Sequence, residues 1–331
     1  MTQSKPTQST ALGTSSRDKY TDKDGQYRPP VSKFRDIISP DPSAPFPAEK
    51  DRYALYIHYG CPWAHRTNIV RSLKGLEDVI QLIVLDAFDP AKSWYFSGKL
   101  GPDKDPLYGV KYLRDLYMRV DPEYQGRVTV PTLWDKKKET IVNNESSEII
   151  RMFNTAFDAL LPEEKRESTK ASAGLLPPHL QADIEEMNEW VYKNINAGVY
   201  GAGFASTQQA YEEHVFPLFK SLDRLEEHLS QPGHSPYLFG EHITEADIRL
   251  FPTLVRFDTA YYTLFKVNLK MIRHDYPKLH EWLRRLYWDE SEKTNGAFKN
   301  TTRFEEIKSG YTLATRQEIV PAGPIPDILP L

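Results

Sequence analysis

The segment from residue 53 to residue 88 restricts the fold of this chain more than any other. It opens with YALYIHYG (53–60), an aromatic and β-branched run that is typical of a strand. Residues 62–74 follow with apolar residues at helical spacing and Pro62 in the first turn. VIQLIVLDAF (79–88) is a nearly continuous apolar run, as expected of a strand covered on both faces. Strand, helix and strand in this order predict a parallel pair with a right-handed crossover.

Residues 128–157 contain the second half of the predicted sheet. VTVPTLWDKKKETIVNNESSEIIRMFNTAF predicts a strand, a charged turn at 135–139, a second strand and a helix. The close spacing of the two strands indicates an antiparallel hairpin. The order βαβ and then ββα builds a small mixed sheet flanked by helices, so we expect one domain over residues 51–160.

The C-terminal half of the chain has a different pattern. Three stretches have apolar residues at helical period, namely 181–195, 207–231 and 244–257. Thr244 with Asp247 three residues on predicts a capping box at the start of a buried helix. We therefore predict an all-helical domain over residues 175–310, and the fold class is α+β.

Both ends of the chain are predicted to be extended. Residues 1–50 are polar and Pro-rich, which predicts an extension that wraps a surface. Residues 311–331 are predicted to form an extended tail. The first 17 residues have no apolar core of a secretory signal, and their Ser/Thr-rich composition fits a disordered tail or a transit peptide.

Composition and motifs exclude several classes of function. The formal net charge of the 331 residues is −4 and neither half has a basic block, so we expect no nucleic-acid partner. No apolar run approaches the roughly 18–20 residues that span a bilayer. The chain has no H-E-x-x-H or Cys/His cluster and no phosphate-binding glycine pattern, so we predict no metal and no nucleotide. A single cysteine gives no internal disulfide, and we expect a cytoplasmic protein.

Cys61 is that single cysteine, and it lies where the first predicted strand ends and the first predicted helix begins. Backbone N–H groups and the dipole at a helix start stabilise an anion, and a thiol attacks only as its thiolate. We therefore predict a nucleophilic Cys61 with a strongly lowered pKa; a buried, inert cysteine is the other interpretation. Position 64 is Ala64, so any disulfide that Cys61 forms needs a small external thiol.

Two further motifs indicate a site for such a thiol. In TVPTL (129–133), a cis Pro131 would leave the backbone of Val130 available to an extended peptide ligand, whereas an ordinary trans proline at a strand edge is the alternative. Glu145 and Ser146 precede a predicted helix, and Ser146 with the first-turn N–H groups would hold a carboxylate. Plain helix capping is the alternative there.

Taken together and in this order, these features resemble the glutathione transferases of the thioredoxin-like fold. More narrowly, they resemble the Xi class, the glutathionyl-hydroquinone reductases. The motifs that carry the resemblance are Y-x-x-x-x-C-P-W-A-H-R (56–66), W-Y-F (94–96), L-Y-M-R-V-D (116–121), Y-Q-G-R-V-T-V-P-T-L-W-D-K (124–136), I-V-N-N-E-S-S-E-I (141–149), N-x-G-V-Y-x-x-G-F-A (196–205), R-F-D-x-x-Y (256–261) and I-V-P-A-G-P (319–324).

The resemblance implies an N-terminal thioredoxin-like, glutathione-binding domain followed by an all-helical glutathione-transferase domain. It implies glutathione as co-substrate, an aromatic glutathionyl-hydroquinone as substrate, and a homodimer. Cys61 would be the catalytic nucleophile, and Tyr200 and Tyr261 would face the aromatic substrate. The glutathione site would be lined by Trp94, Arg127, Val130, Pro131, Glu145 and Ser146. Arg119 lies near Arg127 and is the alternative for its role.

The segment IKSGYTLATRQEIVP (307–321) departs from the family pattern, so the resemblance does not extend a substrate contact to it. Two other functions remain open on the same fold. One is an omega-like thioltransferase or dehydroascorbate reductase that uses the same Cys61. The other is a non-enzymatic ligand-binding protein, in which the pKa of Cys61 would stay near about 8.5.

Overall fold

A computed structural model describes residues 22–28, 31–326 and 328–330. The predicted extension over 1–50 and the predicted tail over 311–331 therefore lie partly outside the described residues.

The first domain is built on a four-stranded sheet. Its elements in chain order are β1 (Tyr53–Ile57), α1 (Pro62–Leu73), β2 (Ile80–Val84), β3 (Ala87–Asp89), β4 (Ser93–Tyr95), α2 (Leu113–Val120), β5 (Thr132–Asp135), β6 (Thr140–Asn143) and α3 (Ser146–Thr155). The strand order is β2-β1-β5-β6, with β1 and β2 parallel and the other pairs antiparallel. The predicted parallel pair and hairpin are confirmed. The predicted strand over 79–88 is instead divided, because β3 leaves the sheet and pairs with β4.

The second domain is helical. After short 3₁₀ turns between Asp158 and Ala173, its helices are α4 (Gln181–Val191), α5 (Gly198–Phe204), α6 (Gln208–Ser230), α7 (Glu245–Arg256), α8 (Tyr262–Leu264), α9 (Ile272–Asp275), α10 (Pro277–Trp288), α11 (Ala297–Asn300) and α12 (Phe304–Ala314). Single π-helical turns continue α4 and α7. The capping box is present at the start of α7, where the Asp247 carboxylate accepts from the backbone N–H and the hydroxyl of Thr244. The α+β class with a helical second domain is confirmed.

The C-terminal tail begins later than predicted. Residues 311–314 belong to α12, and the side chain of Tyr311 is buried in the helical domain. Ile307 and Tyr311 are both buried and one helical turn apart, which explains why the helix continues past residue 310. Beyond the helix, the Trp288 indole N–H holds the tail by donating to the carbonyl of Ile328 at 2.9 Å.

Helix α1 joins the two domains. It packs against α3 of its own domain and against α7 and α11 of the helical domain. The guanidinium of Arg66, on α1, is buried and donates to the carbonyl of Arg249 at 2.8 Å and to Asn196 Oδ1 at 2.8 Å. The first turn of α1, where Cys61 lies, is therefore placed at the junction of the two domains.

Candidate active site

Cys61 is the N-cap residue of α1, with Pro62 at the first helical position. It is partly exposed, and its Sγ donates to the carbonyl of Val130 at 3.3 Å. The backbone N–H groups of Trp63 and Ala64 bond to the thiolate form and lower its pKa. The helix start thus supplies the donors that the sequence predicts.

Burial nevertheless raises the pKa of the Cys61 thiol above its ordinary value. The backbone N–H groups and the charges of Arg256 and Arg127 oppose this effect without overcoming it. The prediction of a strongly lowered pKa is therefore wrong for this structure. The reason is that the helical domain covers the helix start, and removal from water disfavours the thiolate.

The peptide bond between Val130 and Pro131 is cis. Of the two interpretations of the Val-Pro motif, the cis turn is the one that the structure has. Val130 is buried and lies just before β5, outside the sheet, and its carbonyl accepts from the Cys61 thiol. The motif therefore brings a backbone segment from the strand side next to the cysteine.

Glu145 and Ser146 begin α3. Glu145 is the N-cap residue, and its carboxylate accepts from the backbone N–H of Ser147 at 3.1 Å. The other carboxylate oxygen accepts from the hydroxyl of Ser32 at 3.2 Å. Ser146 is buried, with its hydroxyl 3.5 Å from Glu145 Oε1. Helix capping is thus present at this position, and a carboxylate-binding role for the same residues stays a prediction.

Trp94 lies on β4, and its ring packs against His58 with the ring centroids 4.7 Å apart. His58 in turn accepts from the backbone N–H of Cys61 through its carbonyl at 2.9 Å. Trp94 therefore packs on a residue whose backbone is hydrogen-bonded to Cys61. Burial lowers the pKa of His58 to about 4, so this imidazole is neutral near pH 7.

The two candidate arginines have different surroundings. Arg119 pairs with Glu139 at 2.6 Å, and its guanidinium lies over the ring of Tyr108. The charge of Arg127 acts on Cys61 and lowers the thiol pKa. Arg127 is therefore the better candidate for a contact with a ligand bound at Cys61.

The helical domain presents three tyrosines whose hydroxyls form a chain of hydrogen bonds. Tyr200 of α5 and Tyr261, which ends the π-helical turn after α7, are the two tyrosines that the sequence predicts. Tyr311 of α12 joins them, with its hydroxyl 2.6 Å from that of Tyr200 and 2.8 Å from that of Tyr261. Tyr311 was not among the predicted site residues, because the predicted tail included it and because the segment 307–321 departs from the family pattern.

The three hydroxyls are protonated at neutral pH. Burial raises the pKa of Tyr261 to about 12 and raises those of Tyr200 and Tyr311 well above their usual value. Negative charge on Cys61 further raises the pKa of Tyr200 and of Tyr261, which places both hydroxyls within electrostatic range of the sulfur. The site thus combines one thiol with a group of neutral hydroxyl donors.

Arg256, at the end of α7, is the second residue that the sequence analysis did not single out. It is fully buried, and its guanidinium donates to the carbonyl of Gly60 at 3.2 Å and to that of Tyr59 at 2.8 Å. It also donates to Nδ1 of His65 at 2.8 Å, which leaves Nε2 of His65 to donate to Thr301. The helical domain thereby holds the loop before Cys61 and places a cation near the thiol. Arg256 is the first residue of the R-F-D-x-x-Y motif (256–261), and this motif was the sequence signal that could have identified it.

No helix in the described part of the chain is long and apolar enough to cross a membrane. Residues 22–28, 31–326 and 328–330 contain no group of three acidic, histidine or cysteine side chains arranged to hold a metal ion.

Comparisons with known proteins agree with this architecture. Family models of the glutathione S-transferase N-terminal and C-terminal domains match residues 60–156 and 208–285. "Glutathione S-transferase omega-like 2" of Schizosaccharomyces pombe is 48% identical over 93% of this chain and 96% of its own length. "Glutathionyl-hydroquinone reductase YqjG" of Escherichia coli is 46% identical over 90% of this chain and 88% of its own.

Solved structures give the same result. The glutathione S-transferase Xi of Phanerochaete chrysosporium is 53% identical, superimposes with a TM-score of 0.85, and the match covers 94% of this chain and 96% of that one. YqjG has also been solved with glutathione bound; its TM-score is 0.80 at 44% identity, and the match covers 90% of this chain and 95% of that one. This chain belongs to the glutathione transferase family and, within it, to the Xi class.

Proposed function

We propose that the chain is a glutathione-dependent reductase of glutathionyl-hydroquinones. The observation that carries this proposal is the meeting of a single thiol with three hydrogen-bonded tyrosine hydroxyls, Tyr200, Tyr311 and Tyr261, across the domain junction. Thiol–disulfide exchange alone has no use for these hydroxyls, whereas an aromatic thioether requires proton donors beside its ring. The name of the E. coli relative supports the same reaction.

In the first step, the ring of the substrate takes up a proton at the carbon that carries sulfur and becomes a ketone-like tautomer. The Cys61 thiolate then attacks the glutathione sulfur, and a Cys61–glutathione disulfide forms. The electron pair of the broken carbon–sulfur bond returns to the ring, giving the hydroquinone. Tyrosine hydroxyls donate to the oxygen on which negative charge develops.

In the second step, the thiolate of another glutathione attacks the mixed disulfide. Oxidised glutathione leaves and the Cys61 thiolate is regenerated. The net change converts one aryl thioether and one glutathione into the arene carbon–hydrogen bond and oxidised glutathione. The glutathione sulfurs are oxidised and the ring carbon is reduced, so the electrons balance without a metal or a nucleotide.

Trp94, Arg127, Val130, Pro131, Glu145 and Ser146 are proposed to bind glutathione. The backbone of Val130 lies beside the thiol, which suits pairing with the cysteinyl part of glutathione. Glu145 and Ser146 at the start of α3 suit the γ-glutamyl end. A homodimer is proposed by analogy with the family, to be checked by light scattering.

The test is a single-turnover reaction of the protein with a glutathionyl-hydroquinone and excess glutathione, run beside Cys61→Ser. We expect hydroquinone release, a protein mass increased by one glutathione at limiting thiol, and no product from the Ser variant. Cys61→Ala serves as a second control, because a residual activity in both variants would assign the chemistry to another residue.

The second candidate function is an omega-like thioltransferase. The observation in its favour is the S. pombe relative, whose name places it with omega-like transferases. Tyr311→Phe separates the two functions, since it removes the central hydroxyl without removing the ring. A reductase of aromatic thioethers loses activity in this variant by about tenfold or more. A thioltransferase acting on a small mixed disulfide does not depend on that hydroxyl.

A further inference from the structure

Residues 22–28, which we call the N-terminal hook, lie on the helical domain at the edge of the tyrosine cluster. The ring of Tyr27 stacks on Tyr200 with centroids 6.1 Å apart and lies 5.6 Å from the ring of Phe204. Tyr200 also stacks on Trp63, at 6.2 Å, and Trp63 is in the first turn of α1 next to Cys61. Tyr27, Tyr200 and Trp63 therefore form one series of stacked rings, and the backbone N–H of Trp63 bonds to the Cys61 thiolate.

Specific contacts hold the hook in place. The Gln26 side-chain oxygen lies 2.7 Å from Nε2 of His214, and the carbonyl of Gly25 accepts from the backbone N–H of Ser206 at 3.3 Å. Gly25 has a φ of +80°, and a Cβ there would come within 2.9 Å of side-chain atoms of Ser206 and Thr207. Another residue here would need a strained backbone and a shift of both side chains, so glycine favours this close approach of the hook to the helical domain.

Residues shortly after the hook contact α3 of the first domain. Ser32 donates to Glu145 Oε2 at 3.2 Å, and Arg35 pairs with Glu148 of α3. The N-terminal segment thus contacts the stacked rings on the helical domain and also the start of α3, where glutathione is proposed to bind. The N-terminal segment is therefore held on both domains, which fixes the position of the Tyr27 ring beside Tyr200.

We propose that Tyr27 is a specificity-determining residue that forms the outer wall of the site for the aromatic part of the substrate. The inference rests on the proposed function and names its substrate class: S-aryl glutathione conjugates whose ring is large enough to extend from Tyr200 to Tyr27, such as fused two-ring hydroquinones. A ring stacked on an aromatic face gains roughly two- to tenfold in affinity. Conjugates without a ring gain nothing from Tyr27.

Calorimetric binding of S-naphthylmethylglutathione and S-methylglutathione tests this inference. In Tyr27→Ala we expect the affinity for the naphthyl conjugate to fall about five- to tenfold and that for the methyl conjugate to change less than twofold. Tyr27→Phe keeps the ring and restores the naphthyl affinity to within about twofold. Tyr287→Ala is the matched control, because this half-buried tyrosine also packs on two aromatic rings, outside the site.

Gly25→Val provides an independent variant, since its Cβ would meet side-chain atoms of Ser206 and Thr207 and is expected to displace the hook. It should reproduce the selective loss seen in Tyr27→Ala. An equal weakening of both conjugates, or an unchanged naphthyl affinity in Tyr27→Ala, would overturn the inference.

Calorimetric binding is measured without turnover, so the proposed reductase function and the proposed role of Tyr27 can fail independently of each other. A protein that releases no hydroquinone but binds the naphthyl conjugate through Tyr27 would overturn the proposed function and support the inference. A protein that releases hydroquinone but binds the naphthyl conjugate equally well in Tyr27→Ala would do the reverse.

Discussion

Two buried arginines of this protein have opposite surroundings. Arg52, next to β1, donates twice to Asp135, at 2.9 and 2.6 Å, and both side chains are buried. Arg256, at the domain junction, donates to backbone carbonyls and to the neutral imidazole of His65, and no carboxylate of the described residues lies within ion-pair distance. The carboxylate of Asp135 neutralises the charge of Arg52, whereas the charge of Arg256 acts to lower the pKa of Cys61. Burial of an arginine is thus structural in one place and electrostatic in the other.

The largest expected effect concerns the paired arginine. Arg52→Met leaves the carboxylate of Asp135 buried without its partner, and we expect the free energy of unfolding to fall by about 3–5 kcal/mol. The rate of Cys61 alkylation stays within about twofold of the original. Urea denaturation and iodoacetamide kinetics measure the two quantities. Arg35→Met is the control, since its pair with Glu148 is partly exposed and contributes at most about 1 kcal/mol. A change in thiol reactivity in Arg52→Met would break the contrast between the two arginines.

Acidification should destabilise the surroundings of Arg256. Burial lowers the pKa of His58 to about 4, and burial with the charge of Arg256 lowers that of His65. Both pKa values are lower in the folded state than the unfolded value of about 6.5. The contribution of the two neutral histidines to the free energy of unfolding is therefore fully present above pH 6.5 and falls as the pH drops. Protonation of His58 alone lowers the free energy of unfolding by about 3 kcal/mol by pH 4.

The free energy of unfolding, measured between pH 7 and pH 4, checks this expectation. His58→Gln should flatten the acid limb of the profile, because a side-chain oxygen accepts from Gly60 without titrating. The exposed His242 is the matched position, and His242→Gln should leave the slope unchanged. An unaltered slope in His58→Gln would assign the acid sensitivity elsewhere.

Arg256→Met tests the electrostatic role directly. Removing the cation raises the pKa of Cys61 further above its ordinary value, since Arg256 favours the thiolate. We expect alkylation at pH 7.5 to slow by about tenfold, which corresponds to one pH unit. In both proteins the rate rises with pH, and in the variant the rise occurs at higher pH. Arg256→Lys keeps the charge and should recover part of the rate. Identical pH profiles in all three proteins would show that the cation does not reach the thiol.

The smallest expected effect separates the two surface arginines. The charge of Arg127 lowers the pKa of Cys61, whereas Arg119 is engaged by Glu139 and Tyr108. We expect Arg127→Gln to slow alkylation by about two- to threefold and Arg119→Gln to leave it unchanged. The reverse result would assign Arg119 to the site.

Local patterns predicted much of the fold. The apolar runs and Pro62 predicted β1, α1 and their parallel partner, and Thr244 with Asp247 predicted the capped start of α7. These features depend on neighbours in the chain, so spacing and side-chain chemistry suffice. The division of the 79–88 strand was not predicted, because residues 80–88 lie in one largely apolar run and the local pattern does not show where the chain leaves the sheet.

The chemistry of the site depended on contacts between distant residues. A helix start with Cys61 predicted a lowered pKa, but the covering helical domain supplies a desolvation that no local pattern contains. Tyr311 and Arg256 are brought to the site by α12 and α7, from far along the chain. The resemblance to the Xi class predicted Tyr200 and Tyr261. Their partner Tyr311 was not predicted, because the helical domain was expected to end at residue 310.

The N-terminal segment also has a consequence for solubility. Strand β6 lies at one edge of the sheet, and residues 34–36 cover it: Asp36 N–H donates to the carbonyl of Val142 at 3.0 Å and Asn144 N–H to that of Phe34 at 3.1 Å. An uncovered edge strand presents unpaired backbone groups to any other copy of the chain. A protein shortened to begin after residue 40 would thus expose the unpaired backbone groups of β6. We expect such a protein to self-associate by strand pairing between molecules.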